Sequence, residues 1–299
     1  MKKKIGLIFV VLLFVLGIGI MSYPMISAMI NNHALAQSSE VYYNTVKNMD
    51  NKRYKELLAQ AKNYNESLTD NVIITDPFDE EAYRKIGANY EKTLDVDGKG
   101  MIGYVEIPKI SVNLPIYHGT SEEVLQKGAG HLQNTSFPIG GKSTHSVISA
   151  HTGMPTATMF DYLTEMKKGD VFYIRVIGKT LKYKVDKIKV ILPDETNNLR
   201  IIHGEDHVTL LTCTPYGLNT HRLLVRGMRV PMDKSDEEQT IHQASFRDGY
   251  MYLFGYRVPY WVVAVIIVGF VALVTVFVIV AVRKKKKNCP TTVTINQTE

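Results

Sequence analysis

Trp261 to Val282 is a run of 22 residues without a charge. As a helix it spans about 33 Å, enough to cross the hydrocarbon core of a bilayer. Arg257 and Tyr260–Trp261 mark one interface of this run, and the five bases Arg283 to Lys287 stop transfer at the other. Those flanks argue for a membrane helix rather than a buried core helix. By the positive-inside rule the basic cluster is cytoplasmic, so the residues before Tyr260 lie outside. Residues 5 to 21 form a second apolar run behind Lys2, Lys3 and Lys4. It reads as a signal peptide or an uncleaved anchor. Ala34-Leu35-Ala36 resembles a small-x-small cleavage site but lies far beyond the apolar run, which favours the anchor. Both readings place residues from roughly 37 to 255 outside the cytoplasm.

The net charge of +6 belongs to the ends of the chain. Setting aside the eight bases of the two termini, and Glu299, leaves 27 bases against 28 acids, a net of −1. A nearly neutral middle gives no basic face for nucleic acid, so nucleic-acid binding is excluded as a function class. Two cysteines in 299 residues exclude a disulfide-rich scaffold, and 45% hydrophobic residues exclude wholesale disorder.

Between the membrane segments the texture changes twice. Residues 39 to 95 read as helical, with Tyr54, Leu57, Leu58, Ala61, Tyr64 and Leu68 along one face. Asp76-Pro77-Phe78 interrupts the pattern as a loop, because a proline there ends a helix. A second helical stretch is expected around Tyr83, Ile86 and Tyr90. After Gly98-Lys99-Gly100 come short β-type runs: residues 103–107, 112–117, 146–150, 171–177, 180–191, 208–213 and 223–230. Gly, Pro and Asn clusters separate them, which suits an antiparallel barrel or sandwich. The chain thus divides into a signal or anchor segment (1–36), a helical region (37–100), a β region (101–230), a polar linker (231–259), a membrane helix (260–282) and a tail (283–299).

This topology makes the cysteines informative. Cys289 falls on the cytoplasmic side and Cys213 outside, so the membrane forbids a bond between them, leaving Cys213 a lone thiol in an oxidising compartment. Cys213 ends the strand Thr209-Leu210-Leu211-Thr212-Cys213, and the turn-forming Thr214 to Thr220 follows. His221-Arg222-Leu223-Leu224-Val225 begins the return strand. Such a hairpin sets Arg222 across from Cys213, where a fixed cation stabilises a thiolate or an oxyanion. A nucleophilic thiol also needs an acid/base partner. His151 is the best placed of nine histidines, ending the strand Ser146–Ala150 with Gly153 two residues on for a sharp turn. His221 is the second choice, although alternation points it away from the face of Arg222. His145, His203 and His207 read as surface residues. No spacing resembles a zinc or calcium site, and no glycine-rich phosphate loop is present.

Thr209-Leu210-Leu211-Thr212-Cys213 resembles the TLxTC signature of sortases, membrane-anchored cysteine transpeptidases of Gram-positive bacteria. The wider string Thr209 to Gly227, the SAHTG around His151 and Tyr104-Val105-Glu106-Ile107-Pro108-Lys109-Ile110 are similar to the class C, pilus-assembling branch. The carboxy-terminal anchor points the same way. The resemblance implies a mainly β fold: an eight-stranded β-barrel with an amino-terminal helical and lid segment and terminal transmembrane helices. It implies Cys213 as nucleophile, His151 as acid/base and Arg222 as oxyanion stabiliser. Asp76-Pro77-Phe78 matches the Asp-Pro-Phe or Asp-Pro-Trp of a class C lid, in which Asp76 pairs with Arg222 and Phe78 lies over the thiol.

The implied reaction cleaves an LPxTG-like sorting signal between Thr and Gly through a thioacyl enzyme. It passes the acyl group to a pilin lysine, without cofactor or metal. The implied partners are pilin subunits and the cell membrane, with the barrel at the cell surface and the tail cytoplasmic. The alternatives are a housekeeping sortase that attaches surface proteins to cell-wall peptide, a hydrolytic cysteine peptidase and a non-catalytic adhesin. A papain-like peptidase fits poorly, because His151 precedes Cys213.

Overall fold

The β-type runs after Gly100 become eight strands: β1 (Met101–Ile107), β2 (Val112–His118), β3 (Ala129–His131), β4 (Thr144–Ser149), β5 (Val171–Val176), β6 (Lys179–Ile191), β7 (Asp206–Thr214) and β8 (His221–Val230). In this computed structural model, which describes residues 2–68, 75–79, 88–96, 98–233, 250–253, 256–259, 261–262 and 264–271, they close into a barrel in the order β1-β2-β3-β4-β7-β8-β6-β5. The expectation of an antiparallel barrel or sandwich needs correction. It is a closed barrel, and two of its eight neighbouring pairs, β2 with β3 and β4 with β7, run parallel. For β4 and β7 the cause is the excursion through β5 and β6, a long crossover that returns the chain to the end of the barrel where β4 began; β2 reaches β3 by its own short crossover, residues 119–128. β4 and β7 consequently finish at the same rim.

β3 carries no sequence signal of its own, being three residues around a glycine. Gly130 is required there: a Cβ on it would collide with the backbone oxygen of Gly119. The barrel is filled by Ile102, Leu114, Ile116, Phe172, Ile174, Tyr183, Val208, Leu210 and Val225, each at most 2% exposed. Full burial of one such aliphatic side chain is worth about 1.5–3 kcal/mol.

The chain divides into two compact units, Met21–Arg247 and a second made of Met1–Ile20 with Asp248–Glu299. The helix α1 (Lys2–Lys47) crosses the boundary drawn at residue 36 without a break and includes Pro24. Its Tyr42 hydroxyl donates to the Ile102 carbonyl and accepts from the Ile177 N–H, tying the helix to the barrel. The helix α2 (Asn51–Ser67) starts at Asp50, whose carboxylate accepts from the Arg53 N–H as an N-cap. Of the apolar stripe on α2, Leu57 and Ala61 are fully buried and the rest half-buried. Asn65 clamps the Phe137 backbone through both its amide oxygen and its amide nitrogen. Of the expected second helical stretch, Tyr83 and Ile86 lie outside the described residues, while Tyr90 sits in α3 (Ala88–Lys92). Tyr90 docks α3 by stacking on His131 and Phe137.

The other unit contains an antiparallel pair, β9 (Tyr250–Leu253) with β10 (Tyr256–Pro259), inside the stretch expected to be a plain linker. Of the expected membrane helix, residues 261–262 and 264–271 are described and helical, with Trp261, Val265, Ile266, Val268 and Phe270 exposed. Residues 234–249 of the linker, 272–282 of the helix and the tail 283–299 lie outside the described residues. Among the described residues no single helix is long and apolar enough to cross a membrane; Leu12–Ile20 and Ser22–Lys47 pass that test only together.

Candidate active site

β7 and β8 pair so that Cys213 stands directly opposite Arg222. The turn joining them holds a cis Thr214–Pro215 peptide and two residues with positive φ, Gly217 at 78° and Asn219 at 56°. The parallel register of β4 on β7 ends at Ser149 opposite Leu211. Continued two residues past that pair, the register brings His151 beside Cys213. Two hydroxyls of the Thr209–Cys213 string hold this arrangement. Thr212 donates to the Ala150 carbonyl at 2.7 Å, pinning the residue before His151 to β7. Thr209 bonds the His145 ring at 2.7 Å on the face that carries Cys213.

Beyond His151 the chain turns sharply at Gly153, whose φ is +80° and whose Cα is covered by the Tyr216 ring. The buried carboxylate of Asp161 accepts the N–H groups of Gly153 at 2.7 Å and of Met159 at 2.9 Å. Burial pushes the Asp161 carboxyl up, partly offset by those N–H donors and by His151. Asp161 and Tyr216 thus fix the loop on which His151 rides, from sequence positions that carry no hint of it.

Asp76 and Phe78 close the rim. The Asp76 carboxylate takes both an Nε–H and an Nη2–H of Arg222, at 2.9 and 2.6 Å, a bidentate pair with side chains 15% and 10% exposed. The third guanidinium nitrogen, Nη1, donates to the carbonyls of Asn219 and His221. Phe78 lies 5.0 Å under the Arg222 guanidinium and 5.9 Å from the His151 ring. It packs on an apolar floor of Leu132, Val147, Ile191, Leu199, Leu211 and Leu224. Arg222 therefore has every nitrogen engaged, and His151 is shared between Phe78 and an acid.

That acid is Glu122, whose Oε2 is 3.2 Å from His151 Nε2. It opens the short helix α4 (Glu122–Leu125), capped by Ser121. Sequence reasoning missed it, because an acid in the first turn after a serine cap is fully explained by the helix terminus itself.

Cys213 is the free thiol among the described residues and is half-buried. Burial pushes its pKa up; the Arg222 charge works against this, and Asp76 adds to it. Asp76 thus acts on the thiol twice, by neutralising the nearby cation and by its own charge.

The remaining histidines sort by contact. His221 bonds its neighbour Thr220, which leaves it off the site. His203 is exposed, as expected, but His145 and His207 are not surface residues; each is at most 1% exposed. They sit at the polar starts of β4 (Thr144-His145-Ser146) and β7 (Asp206-His207), which read as solvent-facing, yet the connection from β6 to β7 covers that face and offers the Arg200 carbonyl to His145. Cys289 lies outside the described residues. Among the described residues no group of three His, Cys, Asp or Glu is placed to hold a metal ion.

Residues 105–230 match the sortase domain family. Sortase C-1 of Streptococcus pneumoniae is 50% identical, with a TM-score of 0.62, over 66% of this chain and 100% of that one. The pilus-related sortase C of Group B Streptococcus is 47% identical, with a TM-score of 0.59, over 64% of this chain and 97% of that one. Sortase D of Bacillus subtilis is 31% identical over 131 residues, 43% of this chain and 63% of that relative. The chain spans about three fifths of the length of the curated relatives it matches, 58 to 63% for the first three. A closed barrel with paired parallel strands, a cysteine opposite an arginine at one rim, and half-identity to sortase C structures leave one assignment: the chain belongs to the sortase family, on its class C branch.

Proposed function

We propose that this protein is a cysteine transpeptidase that builds covalent pili, anchored to the membrane with its barrel outside the cytoplasm and its carboxy-terminal tail inside. The observation that carries the reading is the rim itself: a thiol, an imidazole and a guanidinium from three adjacent strands, capped by an acid and an aromatic ring from a separate segment. Cys213 as thiolate attacks the threonine carbonyl of a Leu-Pro-x-Thr-Gly-like signal, forming a carbon–sulfur bond. Arg222 donates hydrogen bonds to the oxyanion that develops. The intermediate collapses, and His151 as imidazolium protonates the departing glycine amine. A thioester remains on Cys213. A lysine ε-amine then attacks it, His151 accepts the amine proton, and Cys213 leaves as thiolate. These three side chains supply nucleophile, acid/base and oxyanion donor, so the chemistry calls for no cofactor.

The closed arrangement is silent for a physical reason. Arg222 cannot donate to an oxyanion while Asp76 holds its Nε and Nη2, and burial together with the Asp76 charge pushes the thiol pKa up. Substrate entry must displace Asp76 and Phe78. Moving Asp76 away frees the oxyanion donor and lowers the thiol pKa in one step. Pilin subunits are the favoured substrates and lysine donors, since the similar solved structures described above are sortase C enzymes and one of them is named pilus-related. That weighs against attachment to cell-wall peptide.

The test is product analysis. The full-length chain is incubated with a sorting-signal peptide and, in parallel, a lysine-bearing pilin peptide, a cell-wall peptide amine or neither. The reading predicts a Thr–lysine isopeptide bond in the first case. Hydrolysis alone in all three would assign a peptidase, and no cleavage at all would remove the enzymatic reading.

A further inference from the structure

A cavity of about 800 Å³ opens beside the foot of β4. Its walls come from α2, from the loop before β4 and from the connection between β6 and β7. Among the described residues Lys62, Lys142 and Arg200 line it, against one lining acid, Glu66. The carboxylate of Asp206 lies behind Gly141, but Gly141 N–H, Tyr183 O–H and Thr144 O–H already donate to it. All three bases are exposed at the surface. The cavity is wide enough for several side chains and carries a positive excess in a chain whose middle is otherwise neutral.

Its position relates it to the rim. His145 lines the cavity and His151 stands at the rim, six residues further along the same strand direction, a separation of about 20 Å. Between them lies the apolar floor on which Phe78 sits, and Leu199 belongs to both that floor and the cavity wall. A continuous track therefore runs from Cys213, over the floor that Phe78 vacates on opening, into the basic cavity. An extended peptide of about six residues spans it.

We infer that this cavity is a specificity site for acidic residues lying two to four positions before the leucine of the sorting signal. This deepens the proposed function and rests on it. With the threonine carbonyl at Cys213, the leucine sits three residues back on the apolar floor, and the track has length for about three more. The polarity follows from the chemistry. After the first step only the amino-terminal fragment stays bound, as the thioester, while the glycine side must leave the rim so that an amine can reach His151. A groove that runs away from the rim serves the retained fragment. The charge of the cavity also disfavours the incoming lysine, which shares its sign.

The experiment compares three peptides with the full-length chain: the bare pentapeptide, one extended amino-terminally by three glutamates and one by three lysines. The glutamate peptide should show a KM lower than the lysine peptide by about fivefold or more, with similar kcat, and the gap should shrink at high salt. Lys142→Glu combined with Arg200→Glu should abolish or invert that preference while leaving cleavage of the bare pentapeptide unchanged. Both substitutions fall at exposed positions away from the rim. Equal KM values for the two extended peptides, with the bare pentapeptide cleaved, would overturn this site alone. A preference that survives charge reversal would overturn it too. Failure to cleave the bare pentapeptide would bring down the acyl-transfer reading, and this site with it.

Discussion

Replacing Asp76 by alanine should expose the thiol, and the size of the effect follows from the contacts it removes. Asp76 makes two charge-assisted hydrogen bonds to Arg222, at 2.9 and 2.6 Å, between side chains 15% and 10% exposed. Each is worth about 1.5–3 kcal/mol. Opening returns both charges to water, and that recovered solvation offsets most of the gain, leaving about 1.5 kcal/mol. Phe78 over the guanidinium adds about 1 kcal/mol. A closed state favoured by roughly 2.5 kcal/mol leaves about 1–2% of molecules open. Losing the ion pair raises that fraction about tenfold. The assay is pseudo-first-order alkylation by iodoacetamide at fixed pH, followed by mass spectrometry of the Cys213 peptide. A Cys289→Ser background removes the only other thiol. Asp76→Ala should alkylate about ten times faster, with its pH profile displaced to lower pH because a charge that raises the thiol pKa has gone. Equal rates in the two proteins would show that Asp76 does not guard the thiol, and the Asp76–Arg222 pair would be only a structural ion pair.

Phe78→Ala should also speed alkylation, by about fivefold, since it loses the cation–π contact and the shield over the apolar floor; an unchanged rate would take Phe78 out of the lid. Arg222→Lys should lose on the order of a hundredfold in kcat despite keeping its charge, because an ammonium cannot reproduce the planar donor fork. Turnover within a few-fold of wild type would reassign Arg222 to structure. Stability should fall with acid. His131 and His145 are buried as neutral rings, their pKa values pushed down by burial to about 3 and about 4. Unfolded, each binds a proton near pH 6.5, so their contribution is complete above that pH and is lost as pH falls towards 4 and 3. The slope is up to about 1.4 kcal/mol per pH unit for each histidine. Denaturant melts between pH 7 and 5 should show the loss, and His131→Asn should remove part of it; a flat stability profile would contradict the neutral burial.

What was legible in the sequence followed how local each determinant is. The Cys213–Arg222 pairing could be read because strand, turn and return strand are contiguous, and the turn residues leave one short hairpin. His151 could be placed at a strand end, but only the parallel register of β4 on β7 explains why that end meets Cys213. That register depends on a crossover more than fifty residues long, which no local pattern encodes. The Asp76–Arg222 contact joins residues 146 apart and was accessible only through the family resemblance. Glu122 and Asp161 were invisible for opposite reasons: one is accounted for by its helix cap, and the other acts through backbone N–H groups that any sequence has. His145 and His207 misled because the polar starts of their strands read as exposed, and nothing local tells that a later connection covers them.

The proposed acyl transfer passes through a covalent intermediate at one atom, the sulfur of Cys213. The full-length chain is mixed with a sorting-signal peptide in the absence of added amine, quenched in acid and measured as intact protein and as peptides. The predicted result is a mass increase equal to the peptide fragment ending in threonine, carried on Cys213, released by hydroxylamine as the threonine hydroxamate and absent from Cys213→Ala, whose far-ultraviolet spectrum is unchanged. Cleavage of the peptide by Cys213→Ala, or an adduct that maps to another residue, would contradict it.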